Sequence, residues 1–142
     1  MDKPVGSLPL KKTNVFLVVL FTIITAGIYL SFWFLRRRKA FRESTINSYI
    51  PFKWWTVFAV YLILSFLINL IGGVFLTPYG ETVIESINLI LTYYFIGLLY
   101  YSIFRVKDVI EYHYSETDIK SVWLVLFHVW YLQFKINRLE EN

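Results

Sequence analysis

The sequence predicts an all-α integral membrane protein, in which a central transmembrane helical hairpin is flanked by a broken or re-entrant N-terminal segment and a short C-terminal apolar helix. Three observations carry that class. The chain is 57% hydrophobic, 20% aromatic and only 17% charged over 142 residues, with a mean hydropathy of +0.54. A soluble domain of this size would have too little polar surface to cover itself. Val15 to Leu35 is free of charge for 21 residues, and Trp54 to Gly80 carries no charge at all. As a helix the first of these runs is about 31 Å long, roughly the thickness of a bilayer's hydrocarbon core. Finally, the basic residues gather beside the apolar runs, where the positive-inside bias places them on the cytoplasmic face. A single membrane domain over 1–142 is expected, multi-pass in the cell membrane with cytoplasmic basic loops.

Residues 14–35 form the first hydrophobic segment, and Asn14 is placed to cap it. At its middle stand Thr25, Ala26 and Gly27. Glycine there costs about 1 kcal/mol relative to alanine, and a threonine hydroxyl can bond back to a carbonyl. Both flanks are basic, with Lys3, Lys11 and Lys12 before the segment and Arg36, Arg37, Arg38, Lys39 and Arg42 after it. A straight crossing strands three lysines on the outer side, whereas a break around Gly27 returns the chain and keeps every cation inside. The broken form is the expected one. The run does not read as a cleavable signal peptide, because it continues apolar through Ile28, Tyr29, Leu30 and Trp33 before its basic stop.

Residues 54–76 and 83–104 read as the hairpin. Trp54 and Trp55 open it at the depth favoured by amphipathic rings, and Thr77, Pro78, Tyr79 and Gly80 form its turn. Thr82 and Glu85 fit a capping box that starts the second helix, which ends at Arg105 and Lys107. The turn carries Glu81 and Glu85 but no cation, giving an inside, outside, inside path. Ser65 and Asn69 share a face, Gly72 and Gly73 continue near it, and Asn88 lies at the depth of Asn69 on the other helix. These five are expected to pack helices, with Asn69 bonded to Asn88 and the glycines admitting a neighbour. Residues 105–120 alternate charged and apolar types, an amphipathic cytoplasmic segment broken near Ser115 to Thr117. Residues 121–139 form the C-terminal helix. Its uncharged run has 14 residues, Ser121 to Phe134, short for a crossing. It either dips in and returns or lies flat, with a tilted fourth crossing as the alternative.

Chemistry is sparse. Without cysteine there is no disulfide, thiolate metal site or iron–sulfur cluster. Glu111, His113 and Glu116 are clustered, yet in a charged stretch where such residues are usually solvated. His128 lies in an apolar run, where a histidine hydrogen-bonded at a helix contact is commoner than a proton relay or haem ligand. No nucleophile elbow, phosphate-cradling glycine loop or buried carboxylate pair is present. No catalytic residue, metal or cofactor is expected. The net charge of +4 is read as topology, not as a nucleic-acid footprint. Arg36, Arg37, Arg38, Lys39 and Arg42 set orientation or meet anionic lipid headgroups, each worth about 1 kcal/mol at a charged surface.

Thr25, Gly27, Ile28, Tyr29 and Trp33 before a basic cluster resemble the T-x-G-I-Y…W signature of a family of small prokaryotic membrane proteins, domain of unknown function 4234. Tyr131, Gln133 and Asn137 are similar to that family's closing pattern. The likeness covers both ends of the chain and implies no catalytic residue. The expected function is therefore that of a non-enzymatic membrane scaffold or accessory subunit. Its expected partners are the lipid bilayer, anionic headgroups, and a membrane protein or second copy of the chain. A small oligomeric channel or transporter with a polar path through Ser65, Asn69, Asn88, Thr92 and the broken helix near Gly27 is the alternative. A lipid-modifying enzyme comes third.

Overall fold

The computed structural model describes residues 8–44 and 49–139. The described chain is helical throughout its regular structure, in the order α1 (Val15–Ile24), α2 (Ile28–Arg36), α3 (Arg38–Arg42), α4 (Phe52–Phe75), α5 (Pro78–His113) and α6 (Ser121–Asn137). Lys3, the first of the flanking cations, lies outside the described residues.

The break expected in the first segment is present. Asn14 Oδ1 accepts from Phe16 N at 2.9 Å and starts α1. Thr25 then ends it: its hydroxyl donates to Phe21 O at 2.6 Å and accepts from Tyr29 N at 3.0 Å, bridging the two helices. Ala26 and Gly27 take φ of 47° and 90°, the left-handed region that reverses the chain. A Cβ at Gly27 would meet nothing within 4 Å, so a substitution there is penalised by backbone conformation and not by a clash. Gly27→Val is expected to lower stability by about 1–2 kcal/mol. The check is thermal unfolding in detergent, where an unchanged midpoint would rule out this backbone conformation.

The central pair differs from expectation at its boundaries. Helix α5 begins at Pro78, five residues before Val83, because Thr77 is the N-cap: its Oγ1 accepts from Gly80 N at 3.2 Å, and proline at the first position has φ already set for a helix. Thr82 sits inside the helix, donating to Pro78 O at 3.1 Å, so the Thr82–Glu85 capping box is not used. Nor does α5 stop at Phe104. It runs to His113, and the amphipathic stretch continues the same helix, held by Lys107–Glu111 and Arg105–Asp108 pairs at 3.7 and 3.8 Å. Helices α4 and α5 are both long and apolar enough to cross a membrane.

Helix α6 is two arms. His128 has φ 42° and ψ −123°, a kink that turns the chain back. Lys135 Nζ donates to Asp118 O at 2.7 Å, whereas a straight helix would carry these positions about 25 Å apart. The first segment closes in the same way. The Arg37 guanidinium donates to Lys11 O at 2.9 Å, bringing the start of α1 to the end of α2.

The core follows from these reversals. On α4 the buried apolar side chains are Phe52, Trp55, Phe58 and Ala59; on α5 they run from Leu99 to Ile110. Between Val60 and Leu98 no apolar side chain of the described residues is buried. The reversed segments therefore cover only one end of the α4–α5 pair. At that end Phe34 stacks on Trp55 at 4.1 Å between ring centroids, and Trp55 Nε1 donates to Ser102 Oγ at 2.9 Å.

Candidate functional site

A buried polar cluster holds the two ends of the chain together. Gln133, fully buried on α6, accepts at Oε1 from Trp33 Nε1 at 2.9 Å and from the Arg37 guanidinium at 2.5 Å. Its amide nitrogen donates to Asn137 Oδ1 at 2.7 Å. Asn137 in turn clasps the backbone of Thr13, accepting from its N–H at 3.1 Å and donating to its carbonyl at 2.7 Å. Arg37 also donates to Trp33 O at 3.3 Å and lies over the Trp33 ring, 4.2 Å from its centroid.

The position of Arg37 departs from expectation. Arg36, Arg38, Lys39 and Arg42 are exposed, whereas Arg37 is 5% exposed and turned inward. Helix α3 explains the split, because Ala40 and Phe41 pack into the core and leave its cations on the outer face. Arg37 is thus a packing residue and not a headgroup contact. Burial lowers the pKa of its guanidinium to about 10, which leaves it charged at neutral pH. No carboxylate among the described residues balances it. Carbonyl oxygens, an amide oxygen and an indole face do so instead, while its Nε is buried without a partner. Ser31 Oγ is buried unpartnered as well.

The packing residues of the central pair meet only in part. Asn88 Oδ1 accepts from Tyr61 OH at 2.7 Å and from Ser65 Oγ at 3.2 Å, joining α4 to α5. Asn69 does not reach Asn88 directly; its amide donates to Ser65 O on its own helix at 2.8 Å. A Cβ at Gly72 would first meet the side chains of Ile68 on the same helix and Leu76 just past its end, at 3.6 and 3.0 Å. Gly73 stands beside it within α4. Here the helices part around a cavity of about 300 Å³, lined by Asn69, Gly72, Glu81, Glu85 and Asn88 among others. Thr92 turns back on its own helix, donating to Asn88 O at 2.7 Å.

The histidines do not form a site together. His113 Nδ1 donates to Val109 O at 2.9 Å, and Glu111 accepts from Ile119 N at 2.9 Å. Glu111, His113 and Glu116 do not converge as metal ligands, and no group of three metal-binding side chains occurs among the described residues. At the kink of α6, Tyr100 OH lies 3.1 Å from His128 Nε2 and donates to Val125 O at 3.1 Å, fixing the reversal against α5.

The motif residues at the two ends are brought into one structure. Thr25 and Gly27 shape the first reversal, with Ile28 opening α2 and Tyr29 packing on Phe21 at 5.5 Å. Trp33, Gln133 and Asn137 belong to the cluster, and Tyr131 lies beneath Lys135, 5.8 Å from ring to ammonium. Missing from the sequence reading was the role of Arg37 as the link between them. A polar residue isolated in an apolar run, Gln133, was the available signal, since such a group needs a partner. No family model matches the chain, and no curated protein or solved structure does either.

Proposed function

We propose that the chain is a multi-pass integral membrane protein with its basic loops in the cytoplasm, serving as a non-enzymatic scaffold or accessory subunit. The observation that carries this reading is how the polar side chains are used. Trp33, Arg37, Gln133 and Asn137 join the chain's two ends, Trp55 and Ser102 join α4 to α5 near the basic end, and Tyr61, Ser65 and Asn88 join them further along. Such bonds build a rigid body. The apolar side chains beyond it, Val74 at 80% exposed and Ile90 at 68% among them, are suited to lipid. Each large apolar side chain left in water forgoes about 1.5–3 kcal/mol.

Membership of the family of domain of unknown function 4234 is part of the proposal. Three of the motif residues quoted for it, Trp33 from one end and Gln133 and Asn137 from the other, join one buried cluster, as the shared core of a fold would require. A second reading is favoured by the cleft between α4 and α5. A small oligomeric channel or transporter would draw its polar path from Asn69, Asn88 and the carboxylates of Glu81 and Glu85. Reconstituted protein that conducts no ion or solute across liposomes would remove it.

The scaffold reading is tested by gentle extraction from native membranes. A membrane protein that co-purifies stoichiometrically is the expected result. A clean monomer, stripped of protein partner and retained lipid, would count against it.

A further inference from the structure

The buried core occupies one end of the long helix pair, and the cross-section of the molecule changes along its length. At the basic end stand six rods: α1, α2, the first turns of α4, the last turns of α5, and the two arms of α6. Beyond Ala59 and before Leu99, among the described residues, only α4 and α5 continue. A rod about 10 Å wide fills roughly 80 Å², so the two ends displace about 480 and 160 Å².

The arms are also the wrong length to cross. Helices α1 and α2 have 10 and 9 residues, about 15 Å or less, which is half of a hydrocarbon core about 30 Å thick. By contrast α4 has 24 residues, about 36 Å. The arms are outwardly apolar: Phe16, Ile23 and Ile24 on α1, and Val122, Trp123 and Leu126 on α6, are exposed. Exposed cations lie at the same end, Lys12, Arg38, Lys39, Arg42 and Arg138.

From this we infer that the protein fills one leaflet more than the other, and so concentrates on membranes whose basic-side leaflet is convex and, at high density, imposes that curvature. The inference rests on the membrane reading above. Its partner is a lipid surface, with anionic headgroups matching the ring of cations and acyl chains covering the exposed faces of α1 and α6. Shallow insertion from one side is sensitive to curvature because the space open to it is larger where convex curvature spreads the headgroups apart.

The test uses the purified full chain, fluorescently labelled and reconstituted at low density into vesicles containing anionic lipid, graded from small to large. Protein per unit of lipid area is read vesicle by vesicle, and protease added outside reports which end faces out. The expected result is a several-fold higher density on the smallest vesicles, with the basic end on the outer leaflet. Density independent of size overturns the inference. Loss of the protein from vesicles in an alkaline wash would instead overturn the membrane reading. A double variant, Phe16→Ser with Ile23→Ser, weakens the hold of α1 on lipid without touching the buried core, and should flatten the size dependence. Size dependence retained in full by a folded double variant would also overturn it.

Discussion

Gln133→Leu is expected to destabilise the protein by about 2–4 kcal/mol, because it leaves the buried Trp33 indole N–H unpaired and deprives a desolvated guanidinium of an acceptor. The change is close in volume, so the loss reports hydrogen bonding and not a cavity. Thermal unfolding in detergent measures it, with protease sensitivity at residues 8–14 and 133–139 as a second reading, since Asn137 would lose the amide that orients it toward Thr13. Adding Arg37→Met to Gln133→Leu should recover about half of the loss, because replacing a buried charge and its partner together by apolar groups is often neutral. If the single variant unfolds like the parent protein, the cluster does not hold the ends together.

The second large effect is all-or-none. The sequence has no cysteine, so single cysteines introduced at Lys12, Glu43, Tyr79 and Arg138 report sidedness without background. In sealed vesicles a membrane-impermeant thiol reagent should label Lys12→Cys, Glu43→Cys and Arg138→Cys from one side and Tyr79→Cys only from the other. Labelling of Lys12→Cys with Tyr79→Cys would mean that the first segment crosses. Labelling of all four from one side would mean that α4 and α5 do not.

How much of this could be read from the chain alone differs by element. The break at Thr25, Ala26 and Gly27 was visible because its chemistry is local: a hydroxyl that competes for backbone groups beside a residue that tolerates positive φ. The start of α5 was misplaced for an equally local reason. Thr77–Pro78 and Thr82–Glu85 both look like helix starts, and the proline decided between them. The reversal at His128 had no local signal, since φ 42° with ψ −123° lies outside the left-handed helical region where histidine is found at positive φ; contact with Tyr100 on another helix fixes it. Arg37 was hidden among four other cations. Only the register of α3, with Phe41 one turn later and pointing inward, separates it from them. The bond between Gln133 and Trp33 spans 100 positions, a pairing that no periodicity carries.

That long separation bears on how the molecule is made. Trp33 and Arg37 are synthesised 100 and 96 residues before the amide that accepts from both. During translation the first arm pair therefore waits without that acceptor, its guanidinium held by the Trp33 and Lys11 carbonyls and the Trp33 ring, and a chain cut short between residues 37 and 133 never gains it.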